Sequence, residues 1–142
     1  MRSAMIWLGL AAAPLMISTA AQPTQGRPAA ERCAALAGLS TADYRVDAAE
    51  WVPAGPLPGG RPGAAPVQLP AHCLFRVTLD PRESGLPDLS YGTGIELRLP
   101  ERWNQRLLVQ GGGGLNGVLN PALGNVAGFP SALARGFAVL SN

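Results

Sequence analysis

Two kinds of apolar pattern follow one another in this sequence, and the switch between them constrains the fold more than any other feature. From Cys73 to Leu79 and from Gly94 to Leu99 the residues alternate: Leu74, Arg76 and Thr78 oppose Phe75, Val77 and Leu79, and Ile95, Leu97 and Leu99 oppose Glu96 and Arg98. A period of two marks half-buried strands. Leu107 to Val109 and Phe137 to Leu140 are instead continuous apolar runs, the pattern of strands covered on both faces in a parallel sheet. Between those runs lie the glycines Gly111 to Gly114 and a stretch from Pro130 to Arg135 that reads as a short helix closed by Gly136. Strand, crossover and strand make a parallel βαβ unit. The expected class is therefore α/β, with antiparallel strands leading into a βαβ unit, the opening of a mixed sheet rather than a sandwich.

The N-terminal third adds less regular structure. Residues 29–38 carry Ala, Glu, Arg and Leu with Gly38 closing them, and read as a short helix. A strand is expected around Tyr44, Val46 and Trp51 within 44–52. Residues 53–70 hold six prolines and four glycines, a composition read as a surface loop that sustains neither ladder nor helix. The segment from Asp80 to Thr93, with Pro81, Gly85, Pro87 and Gly92, is turn chemistry. With 18 Gly and 14 Pro in 142 residues, the chain is loop-rich and its core is expected to be incomplete.

Residues 1–21 place Arg2 before an apolar stretch and end in small residues, the order of a secretory signal peptide. The stretch is broken by Pro14 and is too short to span a membrane. The expected organisation is a signal peptide at 1–21, a linker at 22–32 and a domain at 33–142, with no membrane association after cleavage and a secreted or periplasmic destination. In such a compartment Cys33 and Cys73 point to one disulfide. Two free thiols, or bonds to cysteines outside this chain, are the alternatives.

All 11 cations are arginines, those after Arg2 scattered singly from Arg27 to Arg135, and the formal charge is +2, which argues against a nucleic-acid footprint. Gly112, Gly114 and Gly117 satisfy G-x-G-x-x-G after a strand, yet no Asp or Glu follows Glu101 to bind a ribose. The absence of lysine excludes a P-loop. None of Ser84, Ser90, Ser131 or Ser141 sits in a Gly-x-Ser-x-Gly elbow. His72, the one histidine, is expected at the surface or a strand edge rather than as a general base.

Several motifs in order resemble the tannase and feruloyl esterase family: Cys33, then Leu69 and Pro70 before Cys73, then Ile95 to Pro100, then Trp103 and Asn104, then Gln110 with Gly111 to Gly114 and Gly117, and last Arg135 to Leu140. The resemblance implies the N-terminal part of an α/β-hydrolase sheet, incomplete in this chain. It implies a secreted carboxylic-ester hydrolase acting on feruloyl or galloyl esters through a serine acyl-enzyme, with phenolic esters as its partners. The family pattern continues after the last strand to an Asp-containing segment; here Ser141 and Asn142 stand at that point. By the resemblance, the catalytic serine, aspartate and histidine and a calcium-binding lid lie outside these residues, so the expectation is no cofactor in this segment and no activity from it alone. Backbone N–H groups of Gly112, Gly113 and Gly114 are the oxyanion-hole candidates, because only glycine lets a substrate approach the backbone closely. The structural alternative is that these glycines serve turn geometry alone. A second reading, from another class, is a small exported disulfide-closed binding module using Trp51 and Trp103, with burial of both tryptophans in a core as its plain alternative.

Overall fold

Five strands form one mixed sheet. The computed structural model describes residues 26–57, 66–87, 89–111, 117–125 and 129–142. The strands are β1 (Tyr44–Val52), β4 (His72–Glu83), β5 (Ser90–Pro100), β6 (Leu107–Gln110) and β7 (Ala138–Ser141), and a two-stranded ladder of β2 (Gly55–Pro56) and β3 (Gln68–Leu69) lies beside them. β1, β4, β5 and β7 pair antiparallel in turn, whereas β6 and β7 pair parallel, from Leu107↔Ala138 to Gln110↔Ser141. The change of direction falls where the apolar pattern changes in sequence.

The single α-helix among the described residues, α1 (Ala29–Ala35), passes into a 3-10 turn at Leu36–Leu39. Alanine favours the helix and Pro28 precedes it without needing to donate. A helix of 7 residues cannot stand alone in water. It is held by Cys33, its one buried residue, which is bonded to Cys73 on β4 with a Cα–Cα distance of 5.5 Å.

Four expectations need correction. The segment from Asp80 to Thr93 is largely strand: β4 runs to Glu83 and β5 starts at Ser90. The ladder absorbs Pro81 through a register shift between Leu79 and Arg82, beside Asp80 at a φ of 48°. The Pro/Gly-rich stretch sustains a short ladder after all, Gly55↔Leu69 and Pro56↔Gln68, anchored by the buried Leu69. The helix expected at Pro130–Arg135 is a 3-10 turn of three residues, Leu133–Arg135. Finally, β6 is not covered on both faces among the described residues. It is the outermost strand, and Leu107 and Val109 are 57% and 65% exposed.

The buried cluster comprises Leu69, Ala122, Leu123, Ala132, Leu133 and Val139, with Leu57, Leu108 and Phe137 packed against it. All of it lies toward β6 and β7, where the loop after β6 folds back. The turn into β7 is locked from outside by the Trp103–Asn104 corner. Asn104 Nδ2 donates to the Arg135 carbonyl at 3.0 Å, its backbone N–H donates to Gly136 O at 2.9 Å, and its Oδ1 accepts the Arg106 N–H. Trp103 Nε1 donates to Arg106 O. Gly136 itself has a φ of 84°, and a Cβ there would stand 2.8 Å from Arg102 O.

Two stability predictions follow from these ties. Replacing Cys33 and Cys73 with serine opens a loop of sequence separation 40 and is expected to cost roughly 4 kcal/mol in chemical denaturation. Gly136→Ala combines left-handed strain with a backbone clash and is expected to cost about 1–3 kcal/mol, where an unchanged unfolding midpoint would contradict the tight corner.

Candidate functional site

Residues directly opposite one another in a sheet share a face. The registers Arg76↔Glu96, Leu74↔Arg98 and His72↔Pro100, with Glu96↔Ser141, Arg98↔Val139 and Gln110↔Ser141, therefore put His72, Arg76, Glu96, Arg98, Ser141 and Gln110 on one face. That is the face over which the loop following β6 returns.

Glu96 is the centre of it, 2% exposed. Its Oε2 receives Nε and Nη2 of Arg76, each at 2.8 Å, and its Oε1 receives Arg98 Nε at 2.7 Å and the Ala122 backbone N–H at 3.0 Å. Burial by itself would raise the carboxyl, but the Ala122 N–H and the two guanidiniums outweigh it, and the Glu96 carboxyl lies below its ordinary value of 4.5. Arg98, 7% exposed, turns its Nη1 toward His72 Nε2 at 3.3 Å.

His72, expected at the surface or a strand edge, is fully buried at the first position of β4. Its Nδ1 is 2.7 Å from Pro70 O, a partner that can only accept, so Nδ1 carries the proton and Nε2 accepts from Arg98. Burial is the largest cause lowering its pKa from 6.5, with the nearby Arg98 charge adding to it against the Pro70 bond and Glu96. Both ring nitrogens are occupied, so this histidine holds structure and is not placed as a general base.

The loop after β6 is pinned from below. Gln110 Nε2 donates to Pro121 O at 3.1 Å and its Oε1 accepts the Gly124 N–H at 2.8 Å. Gly124, at a φ of 63°, could not carry a side chain, since a Cβ would stand 2.6 Å from Ala132 Cβ. Gly112, Gly113 and Gly114 lie outside the described residues, while the flanks, Gly111 and the segment from Gly117, are in place. The loop leaves the C-terminal end of a strand in a parallel pair, the position at which α/β sheets bind ligands.

The remaining sequence candidates are dispersed. Cys33 and Cys73 are joined as described. Trp103 is exposed and Trp51 half-buried, so neither is a core residue. Trp51 lines a cleft of about 220 Å³ with Arg32, Leu36, Leu99 and the disulfide. Ser131 Oγ accepts the Ala134 N–H within the 3-10 turn, and Ser141 is buried, so neither stands exposed as a nucleophile. The sequence reading placed Glu96 in an alternating strand and Gln110 beside the glycine run, and gave neither a role. The signal available was the Glu-x-Arg pair on β5 with an arginine on the preceding strand.

Residues 77–142 match the family model described as tannase and feruloyl esterase. Over that stretch, the chain belongs to this family. The Trp103–Asn104 corner, Gln110 and the glycine run all fall inside the matched residues of the tannase and feruloyl esterase segment. The chain is also 35% identical over 98 residues to a mono(2-hydroxyethyl) terephthalate hydrolase from Piscinibacter sakaiensis. That alignment takes in 68% of this chain and 15% of the relative, so the chain spans a small part of the curated relative's length. No helix among the described residues is long and apolar enough to cross a membrane.

The lowered pKa values of His72 and Glu96 fix the sign of the pH dependence, and the lowered Asp47 carboxyl adds to the more acidic stage. For each group the unfolded chain binds a proton that the fold refuses, so the stability it contributes is full above the unfolded pKa and is lost as pH falls. The unfolding temperature is expected to decline on acidification in two stages, one starting near 6.5 from His72 and one below 4.5 from Glu96. In His72→Gln the first stage should vanish and the second remain; an equal first-stage decline in the variant would contradict the neutral, buried ring.

Proposed function

We propose that these residues form the first strands of the α/β-hydrolase domain of an exported carboxylic-ester hydrolase that cleaves phenolic esters through a serine acyl-enzyme. A signal peptide at 1–21 and a linker before the domain complete the organisation. The serine, its histidine and its carboxylate are contributed by polypeptide outside the 142 residues. The part played by this chain is the oxyanion loop. As the serine oxygen bonds to the ester carbonyl carbon and its proton passes to the histidine, the carbonyl oxygen gains negative charge. Backbone N–H groups of Gly112, Gly113 and Gly114 would donate to it, each worth about 10²–10³ in kcat.

The observation that carries this reading is the position of the glycine run within the family segment, directly after β6 at the C-terminal end of the parallel pair. The antiparallel strands followed by that pair support the hydrolase sheet, and the disulfide supports an oxidising destination. The relative's name is that of an enzyme for an ester of an aromatic acid, in keeping with an aromatic acyl group. By the family resemblance, a calcium-binding lid belongs to polypeptide outside these residues.

The cleft beside Trp51 is the observation that favours the alternative, a disulfide-closed binding module. Its volume of about 220 Å³ is below the roughly 300–1,000 Å³ of small-molecule pockets, which weighs toward the esterase.

The test is hydrolysis of ferulate, gallate and mono(2-hydroxyethyl) terephthalate esters by the full polypeptide and by these 142 residues alone. Turnover is expected from the first and none from the second. Turnover by the 142 residues would overturn the placement of the nucleophile, and a full polypeptide inert toward all three would overturn the esterase reading.

A further inference from the structure

We propose that the corner ahead of the parallel pair is a docking surface for a carboxylated polysaccharide, gripped by the guanidiniums of Arg106 and Arg135 and stacked on the indole of Trp103. The inference goes beyond the reaction assigned above and holds whichever ester the full polypeptide cleaves. It starts from two like charges brought to one ring. Arg106 precedes β6 and Arg135 closes the 3-10 turn before β7, yet their guanidinium carbons stand 5.9 and 5.2 Å from the centroid of the Phe137 ring.

Among the described residues, that pair has no acidic partner. The ion pairs there join Arg45 to Asp47, Arg76 and Arg98 to Glu96, and Arg82 to Asp80. No Asp or Glu follows Glu101 in the sequence, and Glu101 lines the cleft beside the disulfide. Arg102, also exposed, adds a cation at the same corner, where its carbonyl lies against Gly136. Each stacked guanidinium gains from the negative face of the ring, but nothing offsets the repulsion between the two. An anion over them would. Because both cations are arginines, the complementary anion is one that two parallel N–H bonds can grip, as a carboxylate or a phosphate allows. The guanidiniums are available for this, since the corner is held by main-chain groups: Arg106 O accepts from Trp103 Nε1 and the Ala138 N–H, and Arg135 O accepts from Asn104 Nδ2.

Trp103 supplies the neutral half of the surface. Its side chain is 57% exposed, and the bond from Nε1 to Arg106 O fixes the indole beside the start of β7. A fixed, exposed indole offers a flat apolar platform to the C–H face of a sugar ring. Gln105, exposed between Trp103 and Arg106, adds an amide that can both donate to and accept from hydroxyl groups. A polymer of uronic-acid rings presents all of the matching groups, a C–H face, hydroxyls and a carboxylate on every ring. Arg102, Arg106 and Arg135 fall short of the cluster of about 4–8 cations that holds a protein to an anionic bilayer, and the singly scattered arginines elsewhere give no track along a nucleic-acid backbone. The corner lies where the parallel pair begins, at Leu107↔Ala138, so a polymer bound there leaves the other end of the pair, at Gln110↔Ser141, uncovered.

The experiment is equilibrium binding of the full polypeptide to polygalacturonate at about 0.1 M salt, where charges more than about 10 Å apart are largely screened. The parent is compared with Arg106→Gln/Arg135→Gln and with Arg27→Gln/Arg82→Gln, which removes the same charge from exposed positions elsewhere. Expected is binding by the parent, a Kd weakened at least about tenfold in the first double variant through loss of charge-assisted hydrogen bonds, and a Kd within about twofold of the parent in the second, as screening of distant charges requires. The carboxyl-reduced polymer, which keeps the rings and loses the charge, should not bind. A parent that does not bind polygalacturonate, equal affinity for the carboxyl-reduced polymer, or an equal loss in the two double variants would overturn the docking surface. Tighter binding to polyphosphate or to phosphatidylglycerol vesicles than to polygalacturonate would overturn the choice of a sugar polymer. None of these readings depends on ester turnover, so failure of the docking surface and failure of the esterase reading are told apart.

Discussion

A carboxylate moved out of water costs several kcal/mol even after relaxation, unless charge-assisted hydrogen bonds replace its hydration. Glu96 meets that condition from three directions: Arg76 on β4, Arg98 on its own strand, and the Ala122 backbone in the loop after β6. Removing the carboxylate would leave Arg98 buried beside a neutral histidine and would release the loop's N–H. The ion cluster thereby joins the antiparallel half of the sheet to the segment that returns over its parallel half. It also explains why a polar row of a strand is its buried row.

The strand order follows from where the chain can return. After β6 it crosses back to lie between β5 and β6, so β7 has an antiparallel neighbour on one side and a parallel one on the other. The Trp103–Asn104 corner fixes both ends of that crossing, since Asn104 binds the turn before β7 and Ala138 N–H donates to Arg106 O just before β6. With the strands set, β6 ends at Gln110, at the C-terminal end of the parallel pair. Gln110, the last residue of β6, is the point at which strand geometry becomes loop geometry.

Much of this was legible in the residues. Alternation located β4 and β5, the two apolar runs gave the parallel pair, and the two cysteines gave the bridge. The motif order gave the family later matched over 77–142. What escaped has a common physical cause. Alternation tells which residues share a face but not which face will be covered, so Glu96 and Arg98 read as a solvated row although the loop after β6 buries them. The Arg76–Glu96 pair spans 20 positions and depends on a register that no local pattern encodes. His72 was misplaced for the same reason, because its partner Arg98 lies across the ladder. The turn between β4 and β5 was drawn too long because Pro81 was taken to end pairing, whereas the ladder resumes beyond it at Arg82 with a shifted register.

The measurement that bears most directly on the buried carboxylate is the position of the Ala122 backbone amide proton, followed by NMR as the pH is lowered. A charged Glu96 holding that N–H predicts a shift that stays constant down through 4.5 and moves only at lower pH, together with the Glu96 carboxyl resonance. Movement centred at 4.5 or above, or an Ala122 amide indifferent to the titration of Glu96, would contradict the ion cluster as the tie between sheet and loop.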